Sequence, residues 1–132
     1  IQAGDGIEVT NGSSASPTVA VKNAGYVKAP TGAGPFAAGT PVTLQNGTVI
    51  ACDANDPATF PCIGLWTADN HICTSGLLEG LTGLPANTDL FIAKGGGLTD
   101  TCPNDPDTVE QKVGGSIGTT AVFVSIRNEI YN

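Results

Sequence analysis

The chain contains no methionine, one tryptophan, one histidine and only five basic residues among 132. Each scarcity argues against a class of function. Lys22, Lys28, Lys94, Lys112 and Arg127 are scattered, so no basic patch meets a phosphate backbone. Nucleic acid and anionic membrane surfaces are therefore not expected as partners. No apolar run is long enough to cross a bilayer as a helix. No stretch carries sustained helical periodicity. The net charge of −7 favours solubility and mutual repulsion of free copies.

What is abundant is turn chemistry: 18 Gly and 9 Pro, punctuating short apolar runs. Many short strands between such turns predict an all-β fold, a small barrel or sandwich. Gly39–Ala51 is the clearest unit. Asn46-Gly47 suits the positive φ of a tight hairpin turn. Val42 and Leu44 alternate with polar residues before it, Val49 follows it, and Pro41 fits a strand start.

This unit returns at an offset of 49 residues. Asn46-Gly47-Thr48-Val49 aligns with Gly95-Gly96-Gly97-Leu98. Asn55-Asp56-Pro57 aligns with Asn104-Asp105-Pro106, Thr59 with Thr108, Val42 with Phe91 and Leu44 with Ala93. After one residue of slippage, Gly64 meets Gly114 and Ile72 meets Val122. Two hairpin-containing pseudo-repeats suggest a pseudo-twofold arrangement. The competing reading is chance recurrence of Gly/Asn turns and Asp-Pro loops. The expected core is Val42, Leu44, Val49, Ile63, Leu65, Leu90, Ile92, Val122, Val124 and Ile126.

Residues 1–23 read differently, as a β-arm preceding a domain over 24–132. Ile7 and Val9 alternate with polar neighbours, as do Val19 and Val21. Two short strands bury too little to stand alone. The arm therefore needs a partner, either the main domain or neighbouring chains, and the second option makes Ile7, Val9, Val19 and Val21 candidate oligomer or capsid contacts. Tyr26 and Tyr131 join them as candidates for contacts between subunits.

Other constellations are weighed against ordinary structure. Cys52, Cys62, Cys73 and Cys102 lack zinc-knuckle spacing, and His71 adds little. Three full disulfide pairings are open. Cys52–Cys62 would clasp the first Asn-Asp-Pro loop, worth about 3 kcal/mol in the chain-entropy model, leaving Cys73–Cys102. Four buried reduced thiols are the alternative. Asp53, Asn55 and Asp56, or Asp100, Asp105 and Asp107, hold oxygens of the kind calcium takes, but without EF-hand spacing. Turn capping explains them equally. His71 near Asp69 and Ser75 is sequence closeness, not a triad. Glu79 and Glu110 read as solvated surface. Gly95-Gly96-Gly97 lacks the Lys-Ser/Thr of a phosphate loop. Trp66 fits core packing or carbohydrate stacking. No catalytic residue, cofactor site or metal is assigned, and enzyme activity is not expected.

Two resemblances complete the reading. Gly4-Asp5-Gly6-Ile7-Glu8-Val9-Thr10 with Pro17-Thr18-Val19-Ala20-Val21 resembles the short β-segments of trimeric phage fibres. From Gly25 to Ile126 the chain resembles phage capsid decoration, or cement, proteins. The residues that carry this are Ala38–Val42, Asn46–Val49, Ile63–Leu65, Gly76–Gly80, Thr88–Phe91, Val113–Gly118 and Thr120–Ile126. The second resemblance implies a structural virion protein on the outer capsid surface. Its partners would be the major capsid protein and further copies of itself, as a homotrimer. The first implies the alternative, a structural or receptor-binding domain of a fibre. A secreted adhesin or carbohydrate-binding β-domain is a third class.

Overall fold

The computed structural model describes residues 7–10, 18–21, 25–30 and 33–132. Its strands are β1 (Ile7–Thr10), β2 (Thr18–Val21), β3 (Tyr26–Lys28), β4 (Pro41–Gln45), β5 (Thr48–Ala51), β6 (Gly64–Trp66) and β7 (His71–Cys73). They continue as β8 (Ser75–Leu78), β9 (Asp89–Ile92), β10 (Leu98–Thr99), β11 (Val109–Glu110), β12 (Lys112–Ile117), β13 (Ala121–Ser125) and β14 (Ile130–Tyr131). A 3-10 turn, Pro57–Thr59, is the only helical element among the described residues. The fold is all-β, as the turn chemistry predicts.

Two five-stranded antiparallel sheets dominate. The first has the order β3-β7-β6-β4-β5 and the second β10-β9-β12-β13-β8. These are one topology written twice. In each, a hairpin is formed, the next long strand pairs with the first strand of that hairpin, and the following strand pairs with it in turn. The strand preceding the hairpin closes the far edge. The two Asn-Asp-Pro loops occupy the same position, between the hairpin and the third strand. Their internal bonds also match. Thr59 N and Oγ1 donate to Asp56 O at 3.0 and 2.7 Å, and Thr108 N and Oγ1 donate to Asp105 O at 3.2 and 2.6 Å. Asn46 and Gly47 both take positive φ, as the tight turn requires.

The ladder registers give the equivalences residue by residue. Leu65 pairs with Cys73 as Gly115 pairs with Phe123, and Trp66 pairs with Ile72 as Ser116 pairs with Val122. Gly64 pairs with Val42 as Gly114 pairs with Leu90. Leu44 pairs with Val49 as Ile92 pairs with Leu98. Val42 is thus the counterpart of Leu90, one residue from the expected Phe91, and Leu44 is the counterpart of Ile92 rather than Ala93. Gly114 matches Gly64 and Val122 matches Ile72, as expected.

The burial pattern then overturns the pseudo-twofold expectation. A twofold would turn equivalent faces toward each other. Instead, Leu90, Ile92 and Val122 lie in the core between the sheets, with Leu65, Cys73, Leu78, Val113 and Val124. Their counterparts Val42 and Ile72 form a separate cluster with Val49 and Trp66, on the other face of the first sheet. The face of the first sheet that meets the second carries Leu65 and Cys73, whose counterparts Gly115 and Phe123 point away from it. The sheets are therefore stacked head to tail. In each unit the segment between the edge strand and the hairpin covers the same face. Ala29, Ala33 and Phe36 cover Trp66 and its neighbours, and Leu81 and Leu84 pack into the core between sheets. The first sheet is buried on both faces, the second on one.

The expected core holds at Val42, Val49, Leu65, Leu90, Ile92, Val122 and Val124, all buried. Ile63 and Ile126 are half-buried flanking contacts. Leu44 is the correction. Its ladder to β6 ends at Val42, so Leu44 projects beyond the covered part of its face and stays half exposed.

A two-stranded antiparallel pair, β1–β2, sets Ile7 opposite Val21 and Val9 opposite Val19. Among the described residues these strands pair only with each other. The side chains of Ile7, Val9, Val19 and Val21 lie outside the described part. A second small sheet, β11–β14, fixes the tail, with Val109 opposite Tyr131 and Glu110 opposite Ile130.

Equivalent positions in the two units should respond oppositely. Ile92→Ala empties a fully buried site and should lower stability by about 2–5 kcal/mol. Leu44→Ala, at the counterpart position, should change it by no more than about 0.5 kcal/mol. Urea unfolding of the two variants checks this; equal losses would contradict the head-to-tail order.

Candidate functional site

The two units are joined by an amide clamp at counterpart positions. Gln111 is buried, its Oε1 accepts from Cys62 N at 2.9 Å, and its Nε2 donates to Cys62 O at 3.2 Å. The same Nε2 donates to Arg127 O at 2.8 Å, tying in the strand end before the tail. Removing this side chain strands three backbone groups, at about 1–3 kcal/mol for each one buried. The clamp is structural, and nothing in the spacing of the sequence marks it except its offset from Cys62.

All four cysteines are free thiols, and three are buried. Cys52 and Cys62 lie side by side at the base of the first Asn-Asp-Pro loop. Their mutual hydrogen bond, and then burial, pushes the Cys52 thiol far above its ordinary range. The second pairing does not form. Cys73 Sγ donates to Ser75 O at 3.4 Å, and burial raises its pKa. Cys102 sits elsewhere, beside Glu110, with its thiol raised to about 11 by burial and then by that carboxylate. Spacing alone makes Cys52 and Cys62 neighbours; it cannot place Cys73 and Cys102.

The Asp-rich loops are engaged internally. Asp53 Oδ1 accepts from Asn55 N and Gly95 N, both at 2.8 Å, so it links the first loop to the second hairpin turn. Asp56 Oδ1 caps the 3-10 turn through Ala58 N at 3.1 Å, and Asp105 pairs with Lys94. Among the described residues, no three His, Cys, Asp or Glu side chains gather to hold an ion. His71 Nδ1 lies 3.5 Å from Asp69 Oδ2 and 3.0 Å from Asp69 O. The Asp69 carboxyl is held low, first by the Thr67 hydroxyl. Ser75 instead packs against Gly25, where an added Cβ would collide with its Oγ. Trp66 is buried edge-on to Phe36 at 5.1 Å, leaving no face for a sugar ring.

Several large apolar side chains remain open to solvent. Leu77, Ile117 and Phe123 are exposed on the outer face of the second sheet. Lys112, paired with Asp89 at 3.0 Å, and Arg127 border the same face. Val27 and Leu44 are exposed at the opposite end of the stack, and Ile130 and Tyr131 on the tail. Of the candidate contact residues, Tyr131 is exposed. Tyr26 is half-buried against the core between the sheets, and its pKa is raised by burial and then by Cys73. The sequence reading did not single out Leu77, Ile117 and Phe123. The available signal was strict alternation, which sends Phe123 away from Val122 and Val124.

No family model, curated protein or solved structure matches the chain.

The thiols give a pH test. Reactivity follows the thiolate. With its pKa near 11, Cys102 alkylation in the native protein should keep rising about tenfold per pH unit from 8 through 10. The buried Cys52, Cys62 and Cys73 should label only on unfolding. Mass spectrometry of iodoacetamide-treated protein reads both; a Cys102 rate that levels off at pH 9 would contradict its placement beside Glu110.

Proposed function

We propose that this chain is a structural virion protein of the capsid-decorating kind. It works by binding rather than catalysis. It sits on the outer surface of a phage head and bridges neighbouring capsomers, with the major capsid protein and copies of itself as partners. The observation that carries this reading is the β1–β2 pair, whose ladder closes only on itself among the described residues. A two-stranded ribbon with apolar alternation is marginal in water, and its open edges accept another strand. Adding the arm to a neighbouring subunit satisfies both needs and yields a trimer. Many modest contacts, repeated by symmetry, then hold the shell against internal pressure. The rigid double-sheet body and the resemblance over Gly25–Ile126 support the same reading. The acidity of the chain favours neither nucleic acid nor an anionic membrane as its target.

The fibre reading draws on the same arm, through the resemblance of Gly4–Val21 to trimeric fibre segments. It differs in the target, a receptor rather than a capsid.

Removal of residues 1–23 tests the arm, since no described ladder of the two large sheets depends on it. The shortened chain should lose its trimeric mass in sedimentation and should no longer cosediment with phage heads. A truncated protein that stays trimeric and decorates heads at full occupancy refutes arm exchange. A full-length trimer with no affinity for heads refutes the capsid reading and leaves the fibre reading standing.

A further inference from the structure

The head-to-tail order leaves the chain with two unlike ends. Inside the molecule, the second unit is laid on the Leu65–Cys73 face of the first. At that junction the second unit buries Leu78 and Ile92, 3% and 0% exposed. Their counterparts on the first unit are Val27, opposite Ile72 as Leu78 is opposite Val122, and Leu44. Among the described residues nothing lies over these two, which are 52% and 48% exposed. The other side of the junction behaves alike. Leu65 and Cys73 are fully buried by the second unit, and Tyr26 is half-buried. Their counterparts on the second unit are Gly115, Phe123 and Leu77. Phe123 is 55% and Leu77 48% exposed, and Ile117 extends the patch at 51%.

Parts of both halves of the internal junction are therefore displayed again at opposite ends of the same molecule, with Val27 and Leu44 open beside Val42 and Ile72, which the Phe36 segment already covers. The face around Leu77, Ile117 and Phe123 is built like the face that accepts a unit. The end around Val27, Leu44 and the Phe36 segment is built like the end that is accepted. The Phe36 segment is no obstacle, because the second unit docks with its own covering segment in place. Leu81 of that segment sits against Gly39 of the first unit, where an added Cβ would stand 3.3 Å from Leu81 Cδ2.

We propose that a second copy of this chain docks on the outer face of the second sheet through the Val27–Leu44 end of its first unit, continuing the internal junction from one molecule to the next. The contact is heterologous: one surface meets a different surface. Such contacts grow into a ring if the rotation closes and into a filament if it does not. The proposal rests on the repeat geometry and is independent of the arm and of the capsid reading.

Single substitutions at half-exposed positions test it without disturbing the core. Phe123→Asp should disable one end and Leu44→Asp the other. All are made in the full-length chain carrying Val9→Asp, which disables arm exchange and so separates that reading from this one. The Val9→Asp parent should gain mass with concentration in sedimentation velocity. Each end variant alone should stay monomeric. Mixed in equal amounts, they should form dimers and stop there, because each supplies the end the other lacks. Circular dichroism verifies folding, and Phe123→Ser replaces Phe123→Asp if the latter does not fold. A Val9→Asp chain that is monomeric at its highest soluble concentration overturns the proposal. So does an end variant that associates like its parent, or a mixture that yields no dimer.

Discussion

The structure depends on the first sheet being covered on both faces. Consecutive residues Gly64, Leu65 and Trp66 are all buried, and so are Pro41, Val42 and Thr43. A sheet in that position is a middle layer and needs something on either side. One side is supplied by the Ala29–Phe36 region, which lays Phe36 edge-on against Trp66. The other is supplied by the whole second sheet. The second unit presents to the first the face that its own connecting segment lines, while the first unit presents its opposite, Leu65–Cys73 face. That order leaves the outer face of the second sheet uncovered and apolar.

The loops that join the layers carry the polar part of this design. Gln111 reaches its counterpart position at Cys62 and fills three hydrogen-bonding needs of buried backbone at once. Asp53 in the first Asn-Asp-Pro loop reaches Gly95 in the second hairpin turn. Both bonds run between the two units. The cysteines fall within this region without forming bridges, so the link between layers is made by packing and amide bonding.

Much of this was legible in the sequence, and the failures have physical causes. Asn-Asp-Pro-x-Thr recurs because the same threonine closes the same turn, so a fixed offset was visible. The alignment slipped by one over β9 because the second hairpin turn, between Ile92 and Leu98, is one residue longer than the first, between Leu44 and Val49. The order of the layers was hidden for another reason. Alternation tells which residues share a face, but not what that face meets. Val42, Trp66 and Ile72 are as apolar as Leu90 and Val122, so nothing local separates the two cores. Leu44 looked internal because pattern alone cannot show where a covering segment stops. The pairing of the arm's two strands was readable from their length and alternation. The exposed face around Phe123 was not, since an apolar run looks the same whether one or both of its sides are covered.

The central claim is the stacking order, and side-chain proton contacts measured by NMR test it most directly. The account predicts contacts from the Trp66 indole to Phe36 and Ala33, and from the Leu65 methyl groups to second-sheet side chains such as Val122 and Val124. Trp66 contacts to Val122 or Leu90, with Leu65 turned outward, would restore a twofold core and contradict the head-to-tail account.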